Sequence, residues 1–279
     1  MLEKEIQQAL IAKGRAFMRG YRNDDPYEAD FESDQELKLP QPPLVKAAVS
    51  SESNHITLTR DFSRIPMLHN LTQLIETRRS ARIYTQEEMT QEQLSFLLWS
   101  CQGVKSIRGK SYATLRTVPS GGARHPFETY LAVRRVAGLQ TGIYHYLPLE
   151  HSLEFLHQID DIDYLITESL CGQSWAAKAN VVFYWSVVPY RAEWRYGIDA
   201  HRTALMDAGH MAENLYLACT GIGLGGCAIA SFSDEICSQM LSLDGEEEFP
   251  VYAMPVGTVR DCDKAEEQSF YQFVEEEGL

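Results

Sequence analysis

Apolar residues recur at helical spacing near the start of the chain, with Leu2, Ile6, Ala9, Leu10 and Phe17 on one stripe of residues 2–18. Lys13 interrupts the stripe and Gly14 weakens the backbone, but the pattern still predicts an amphipathic helix. It is then lost from about Asn23 to Ser53, a polar, acidic stretch with prolines at 40, 42 and 43. Prolines fix φ and remove donors, so this stretch is predicted to be an extended strap over the body or over a partner subunit. Periodicity returns near residue 66. Leu71, Leu74 and Ile75 predict a short helix that delivers Arg78 and Arg79 at its end. Thr90 to Gln93 fits a capping box, with Leu94, Leu97, Leu98 and Cys101 as the apolar face of the helix it starts.

Further on the period changes. Thr129–Val136 reads as a strand, Gly142–Leu147 with Ser152–Leu156 as a hairpin, and Val181–Val188 as a strand buried on both faces. A helix is predicted from about Asp199 to Thr220, because Ala204, Leu205, Ala208, Met211, Ala212, Leu215, Tyr216 and Cys219 form one broad stripe. Glycines at 221, 223, 225 and 226 stop it. Cys227–Phe232 then reads as a strand, Ser233 as the cap of a short helix, and Val251–Val256 as a last buried strand before an acidic tail. Few of these elements stand in βαβ order, so the pattern predicts an α+β fold: a central mixed sheet flanked by helices. Two regions follow, residues 1–65 as helix and strap and residues 66–279 as the main domain.

Composition narrows the function. The chain has 25 Lys and Arg against 39 Asp and Glu, a formal net charge of −14. Such a chain has no basic stripe with which to bind nucleic acid. No apolar run approaches the roughly 18 residues that span a bilayer. The acidic start, Met-Leu-Glu-Lys-Glu-Ile, is unlike a secretory signal, so a cytoplasmic location is expected. Six scattered cysteines without a Cys-x-x-Cys pair indicate buried thiols, neither a zinc ribbon nor a disulfide framework.

The glycine run at 221–226 is unlike a dinucleotide fingerprint, which must follow a strand and open a helix; here a helix ends and a strand begins. A P-loop is absent as well. His201 and His210 lie about 180° apart on an ideal helix and match no metal-ligand spacing, so no metal site is expected. Two short runs carry charge instead. Arg78, Arg79, Ser80 and Arg82 form a cationic knot whose guanidinium groups suit phosphate oxygens. Residues 78 and 82 would converge on one anion if that turn stays helical. In Pro119-Ser120-Gly121-Gly122-Ala123-Arg124-His125, the glycines let backbone amides approach a planar ligand, with Arg124 supplying charge beside it.

These motifs, in this order, give the chain a resemblance to the nitroreductase-like flavoproteins, and within them to the SagB-type dehydrogenases that oxidise azoline rings in peptides. It runs through Gly14–Tyr21, Ser33–Gln35, Pro40–Pro43, Thr77–Tyr84, Pro119–Pro126, Trp194–Gly197, Asp207–Asn214, Gly223–Gly225 and Pro255–Gly257. It implies an FMN-binding α+β fold in an intertwined homodimer, with each flavin at the subunit interface. Carried over, Arg78, Arg79, Ser80 and Arg82 would hold the phosphate, ribityl chain and pyrimidine edge. Pro119, Ser120, Gly121 and Gly122 would reach the same flavin from the partner subunit, and Ala230 and Ser231 would face its N5 and O4 side. Arg260 is a further phosphate candidate.

The chain departs from the azoline branch at Arg195-Tyr196, where a Lys-Tyr pair is usual. Arg stays protonated, so Arg195 either pairs with Glu193 or orients substrate, while Tyr196 can exchange a proton. The expected activity is FMN-dependent oxidoreduction between a nicotinamide donor, NADH or NADPH, and an organic substrate. Peptide azoline dehydrogenation beside a cyclodehydratase is one alternative, and a flavin-binding scaffold or sensor without turnover is another.

Overall fold

The computed structural model describes residues 4–19, 32–49 and 54–260. In chain order the elements are α1 (Lys4–Arg19), β1 (His55–Thr57), α2 (Leu71–Thr77), α3 (Gln91–Gln102), β2 (Val104–Arg108), β3 (Ala113–Arg116), β4 (Phe127–Val133), β5 (Gly142–Leu147), β6 (Ser152–His157), α4 (Ile162–Ser169), β7 (Val181–Val187), α5 (Tyr190–Tyr196), α6 (Ala200–Gly221), β8 (Leu224–Gly226), α7 (Asp234–Leu241) and β9 (Phe249–Thr258). Leu2, residues 20–31 and 50–53 of the strap, Cys262 and the acidic tail lie outside the described residues.

Seven strands form one sheet in the order β1-β6-β5-β4-β7-β9-β8, and β2 with β3 makes a separate hairpin. Every ladder is antiparallel. Parallel pairing enters through isolated bridges, Ser80 with Gly226 and Met89 with Val136. The continuous apolar run predicted a strand covered on both faces, and all seven β7 residues are buried. Alternation then sorts them. Val181, Phe183, Trp185 and Val187 join the core under α3 and α6, whereas Val182 and Tyr184 join the core under α4 and α7. Truncating Trp185 to alanine would cost roughly 3–5 kcal/mol.

The capping box forms as read: Thr90 Oγ1 accepts from Gln93 N at 3.1 Å, and Gln93 Oε1 accepts from Thr90 N at 2.9 Å. Several boundaries differ, three of them with a clear physical reason. β4 stops at Val133 and not Val136, because the amides of Arg134 and Arg135 both turn to the Asn180 carbonyl. The strand read at Cys227–Phe232 lies earlier, in the glycines of β8. Those residues lack side chains where β8 presses on Ala81, Val259 and Met254, and after them Ile229 makes a single bridge to Ala253. The sheet also takes β1 from ahead of residue 66, so the body draws on chain the sequence pattern gave to the strap.

The described part of the strap packs down. Lys46 Nζ donates to Glu248 at 2.5 Å and to Tyr130 at 2.8 Å, and Lys46 N donates to Glu128 at 2.8 Å. Glu128 also pairs with Arg191 at 2.6 Å, joining strap, sheet and α5 in one buried network. By contrast α1 leaves Ile6, Leu10, Ile11, Phe17 and Met18 exposed, and Phe17 lines the rim of an apolar cleft with Phe127, Val187 and Phe249.

Candidate active site

The arginine run leaves the helix at once. α2 ends at Thr77, and Arg78 has φ −56° and ψ 129°. Ser80 then bridges Gly226, and the Ala81 amide donates to the Gly226 carbonyl at 2.9 Å. Arg78 and Arg82 therefore do not converge by helical spacing, since the helix ends before Arg78; in extended backbone successive residues point to opposite sides, which parts Arg79 from Arg78. The Arg78 guanidinium lies 5.2 Å over the ring of Tyr216, and Ser80 Oγ is 3.3 Å from the Tyr216 hydroxyl. Arg82 sits 5.9 Å over the ring of Trp175. Arg79 turns instead into a cavity of about 350 Å³, which Thr77, Tyr216, Thr220, Gly223 and Arg260 also line.

Among the described residues, no Asp or Glu lines that cavity. Two guanidinium groups, with no carboxylate among the described lining residues, suit a phosphate, and the volume is within the range of small-molecule sites; the Thr77 and Thr220 hydroxyls donate instead to the Gln73 and Tyr216 carbonyls. The phosphate end of FMN fits this chemistry. The Tyr216 hydroxyl accepts from the Ala228 amide at 2.7 Å, tying α6 to the segment that carries Ala230 and Ser231. Both of those residues are exposed, and the Ser231 carbonyl accepts from Gln173 Nε2 at 3.3 Å.

The second run folds as a strained turn. Gly122, Ala123 and His125 have φ of +55°, +54° and +46°. Left-handed backbone at two residues with side chains is stored strain that surrounding contacts must hold. Ser120 Oγ accepts from the His125 amide at 2.9 Å, and the Gly121 amide donates to Asp207 Oδ1 at 3.2 Å. Burial raises the Asp207 carboxyl above its ordinary range. Pro119 is exposed at the start of this turn. Arg124, proposed from sequence to touch the cofactor, is 4% exposed. Its Nε donates to the Gly122 carbonyl at 3.1 Å and its Nη2 to the Tyr112 carbonyl at 2.8 Å, so it braces the turn from behind.

α5 brings Arg195 and Tyr196 over this turn. A Cβ on Gly122 would lie 2.5 Å from the Tyr196 hydroxyl and 2.9 Å from Arg195 Cδ. Arg195 does not pair with Glu193, whose Oε1 is 2.6 Å from His201 Nε2. Arg195 Nη1 donates to the Tyr112 hydroxyl at 2.5 Å. Sequence reasoning passed over Tyr112, Tyr216, Trp175 and Asp207. Tyr216 had a signal, a phenol on an apolar stripe; Tyr112 had none, since its partners Gln35 and Arg195 are 77 and 83 residues away. His201 and His210 join no cluster, and no group of three or more potential metal ligands occurs among the described residues.

Asp207 and Tyr216 mark the two runs on one helix. Nine residues separate them, about 13.5 Å along α6 and half a turn around it. Within one chain the glycine turn and the arginine run accordingly serve different volumes.

The Nitroreductase family pattern matches residues 75–258. The nitroreductase-like protein MJ1384 of Methanocaldococcus jannaschii is 33% identical over 187 residues, 67% of this chain and 90% of that protein. The microcin B17-processing protein McbC of Escherichia coli is 28% identical over 150 residues, 52% of this chain and 55% of McbC, so the match spans about half of each. Among solved structures, a nitroreductase-like protein of Ralstonia eutropha superposes with a TM-score of 0.61 at 26% identity, covering 80% of this chain and 100% of the other.

Proposed function

We propose a function from one premise: the chain belongs to the nitroreductase family. It is an FMN-dependent oxidoreductase, passing hydride or electrons between a nicotinamide donor and an organic substrate. The observation that carries this is the cavity lined by both Arg79 and Arg260, with no carboxylate among its described lining residues, in a chain of net charge −14. Bound there, FMN supplies the two-electron chemistry, which explains why no dedicated nucleophile is needed. Arg79 and Arg260 would hold its phosphate end. Ala230 and Ser231, exposed in the segment that Ala228 ties to Tyr216, would border the ring.

The working form is a homodimer in which the Pro119–Gly122 turn of one subunit completes the cavity of the other. Two features support it: the placement of the two runs on opposite sides of α6, and the exposed Leu71, Ile75, Leu205 and Met206 around them. Exposed apolar patches of this kind mark interfaces. A visible absorption spectrum of the purified protein, then steady-state NADH and NADPH oxidation with menadione, tests the proposal. A flavin spectrum and turnover are expected; a colourless protein that takes up no FMN contradicts it, and bound flavin without turnover indicates the scaffold reading.

Peptide azoline dehydrogenation is the second reading, favoured by the likeness to McbC. In it a cyclodehydratase supplies the heterocycle and Arg195 orients it. Conversion of a synthetic thiazoline peptide to the thiazole tests it, a loss of two mass units per ring; an inert peptide with active flavin sinks this reading alone.

A further inference from the structure

Two donors converge on one phenol beside the glycine turn. Arg195 Nη1 donates to the Tyr112 hydroxyl oxygen at 2.5 Å, and Gln35 Nε2 donates to the same oxygen at 3.2 Å. A phenol that receives two N–H groups spends its lone pairs on them, an arrangement that favours the oxygen in its anionic form. A second guanidinium, that of Arg124, lies 4.8 Å from the Tyr112 ring centroid. The nearby strap acids are engaged elsewhere: Asp34 accepts from Tyr190 at 2.8 Å and Glu36 from Ser33 at 2.8 Å.

Other segments fix this geometry. Gln35 N donates to the Trp194 carbonyl at 2.8 Å, Trp194 Nε1 donates to the Leu39 carbonyl at 3.1 Å, and Gln41 Nε2 donates to the Tyr112 carbonyl at 3.1 Å. The strap, α5 and the β2–β3 hairpin thus meet at one hydroxyl, half-buried and next to Arg195 and Tyr196. Arg195 cannot take a proton itself. It can hold ready a group that does.

We propose that the Tyr112 hydroxyl, gripped by Arg195 and by Gln35 of the strap, is the proton-accepting group of the candidate active site. The step assigned to it is a proton transfer alone. An acidic C–H or N–H proton of the substrate passes to the Tyr112 oxygen, the bonding electron pair stays on the substrate, and Tyr112 returns the proton to solvent. The accompanying hydride and its two electrons go to the oxidant, a flavin. This role rests on the oxidoreductase reading for the reaction it serves, but its test needs no flavin. The Gln35 hydrogen bond, together with the charges of Arg195 and Arg124, holds the Tyr112 phenol below the ordinary range, against the opposing effect of burial.

Tetranitromethane nitrates accessible phenolates, so peptide mapping after brief treatment of the full-length protein ranks the tyrosines. Tyr164 is 62% exposed and Tyr190 is 38% exposed, which makes them internal controls. Tyr112, although less exposed than Tyr164, is expected to react faster than both. Arg195→Gln and Gln35→Ala should each slow Tyr112 and leave Tyr164 unchanged. If Tyr112 reacts no faster than Tyr164, or is indifferent to Arg195→Gln, the assignment falls. Should either variant fail to fold, a pH titration of the Tyr112 ring-carbon NMR signal in the native protein decides alone: titration in or above the ordinary tyrosine range overturns it. Failure here with a normal flavin spectrum would leave the oxidoreductase reading standing.

Discussion

The Tyr196 hydroxyl occupies the space where a side chain on Gly122 would begin, 2.5 Å from the position a Cβ would take. Gly122 also has φ of +55°. Gly122→Ala therefore meets two obstacles, backbone strain of roughly 1–2 kcal/mol and a forced shift of Tyr196 or the turn. Calorimetry should show a melting temperature lower by roughly 2–8 °C, and menadione turnover should fall further than stability explains. An unchanged rate would mean that the turn and Tyr196 do not share a site.

Lys46 latches the strap. Its ammonium reaches Glu248, 7% exposed, which also accepts from Tyr130 and Ser186. Lys46→Ala removes a charge-assisted contact and should cost about 1.5–3 kcal/mol in urea unfolding. Lys46→Met, which keeps the apolar stem, should recover part of the loss. A midpoint unmoved by either substitution would show that residues 32–49 merely rest on the body.

His145 gives stability a pH signature. Burial opposes its protonation, but hydrogen bonds to Glu128 at 3.1 Å and Glu154 at 3.4 Å outweigh it, and its pKa is raised above 6.5. Lys46, Arg191 and Arg116 are cations acting on the same cluster. A group whose pKa is raised on folding contributes stability that is complete below its unfolded pKa and lost as pH climbs through the folded value. The melting temperature should decline as pH rises above the ordinary histidine value of about 6.5, and His145→Gln should flatten that decline. A wild-type profile as flat as the variant's would refute the charged-histidine account.

Much of the fold was legible because its signals are local. The capping box at Thr90, the stripe of α6 and the apolar run of β7 each concern residues within one element. The site was less legible because it is assembled across the chain. Whether Arg78 stays helical depends on a bridge between Ser80 and Gly226 that no local pattern encodes. Glu193 beside Arg195 invited an ion pair, yet His201 takes Glu193 and Tyr112 takes Arg195. The glycines of β8 read as a helix stop and also serve as a strand, since close contact with Ala81 and Met254 requires residues without side chains.

If Arg79 and Arg260 grip the anionic end of FMN, fluorescence titration of FMN into apoprotein reads their loss as weaker binding. Arg79→Ala and Arg260→Ala should each raise Kd by roughly 10–150-fold, the equivalent of one charge-assisted hydrogen bond. Arg78→Ala, which loses a stacked contact with Tyr216, should raise it only about 2–5-fold. Both cavity variants binding FMN as tightly as wild type would contradict the account.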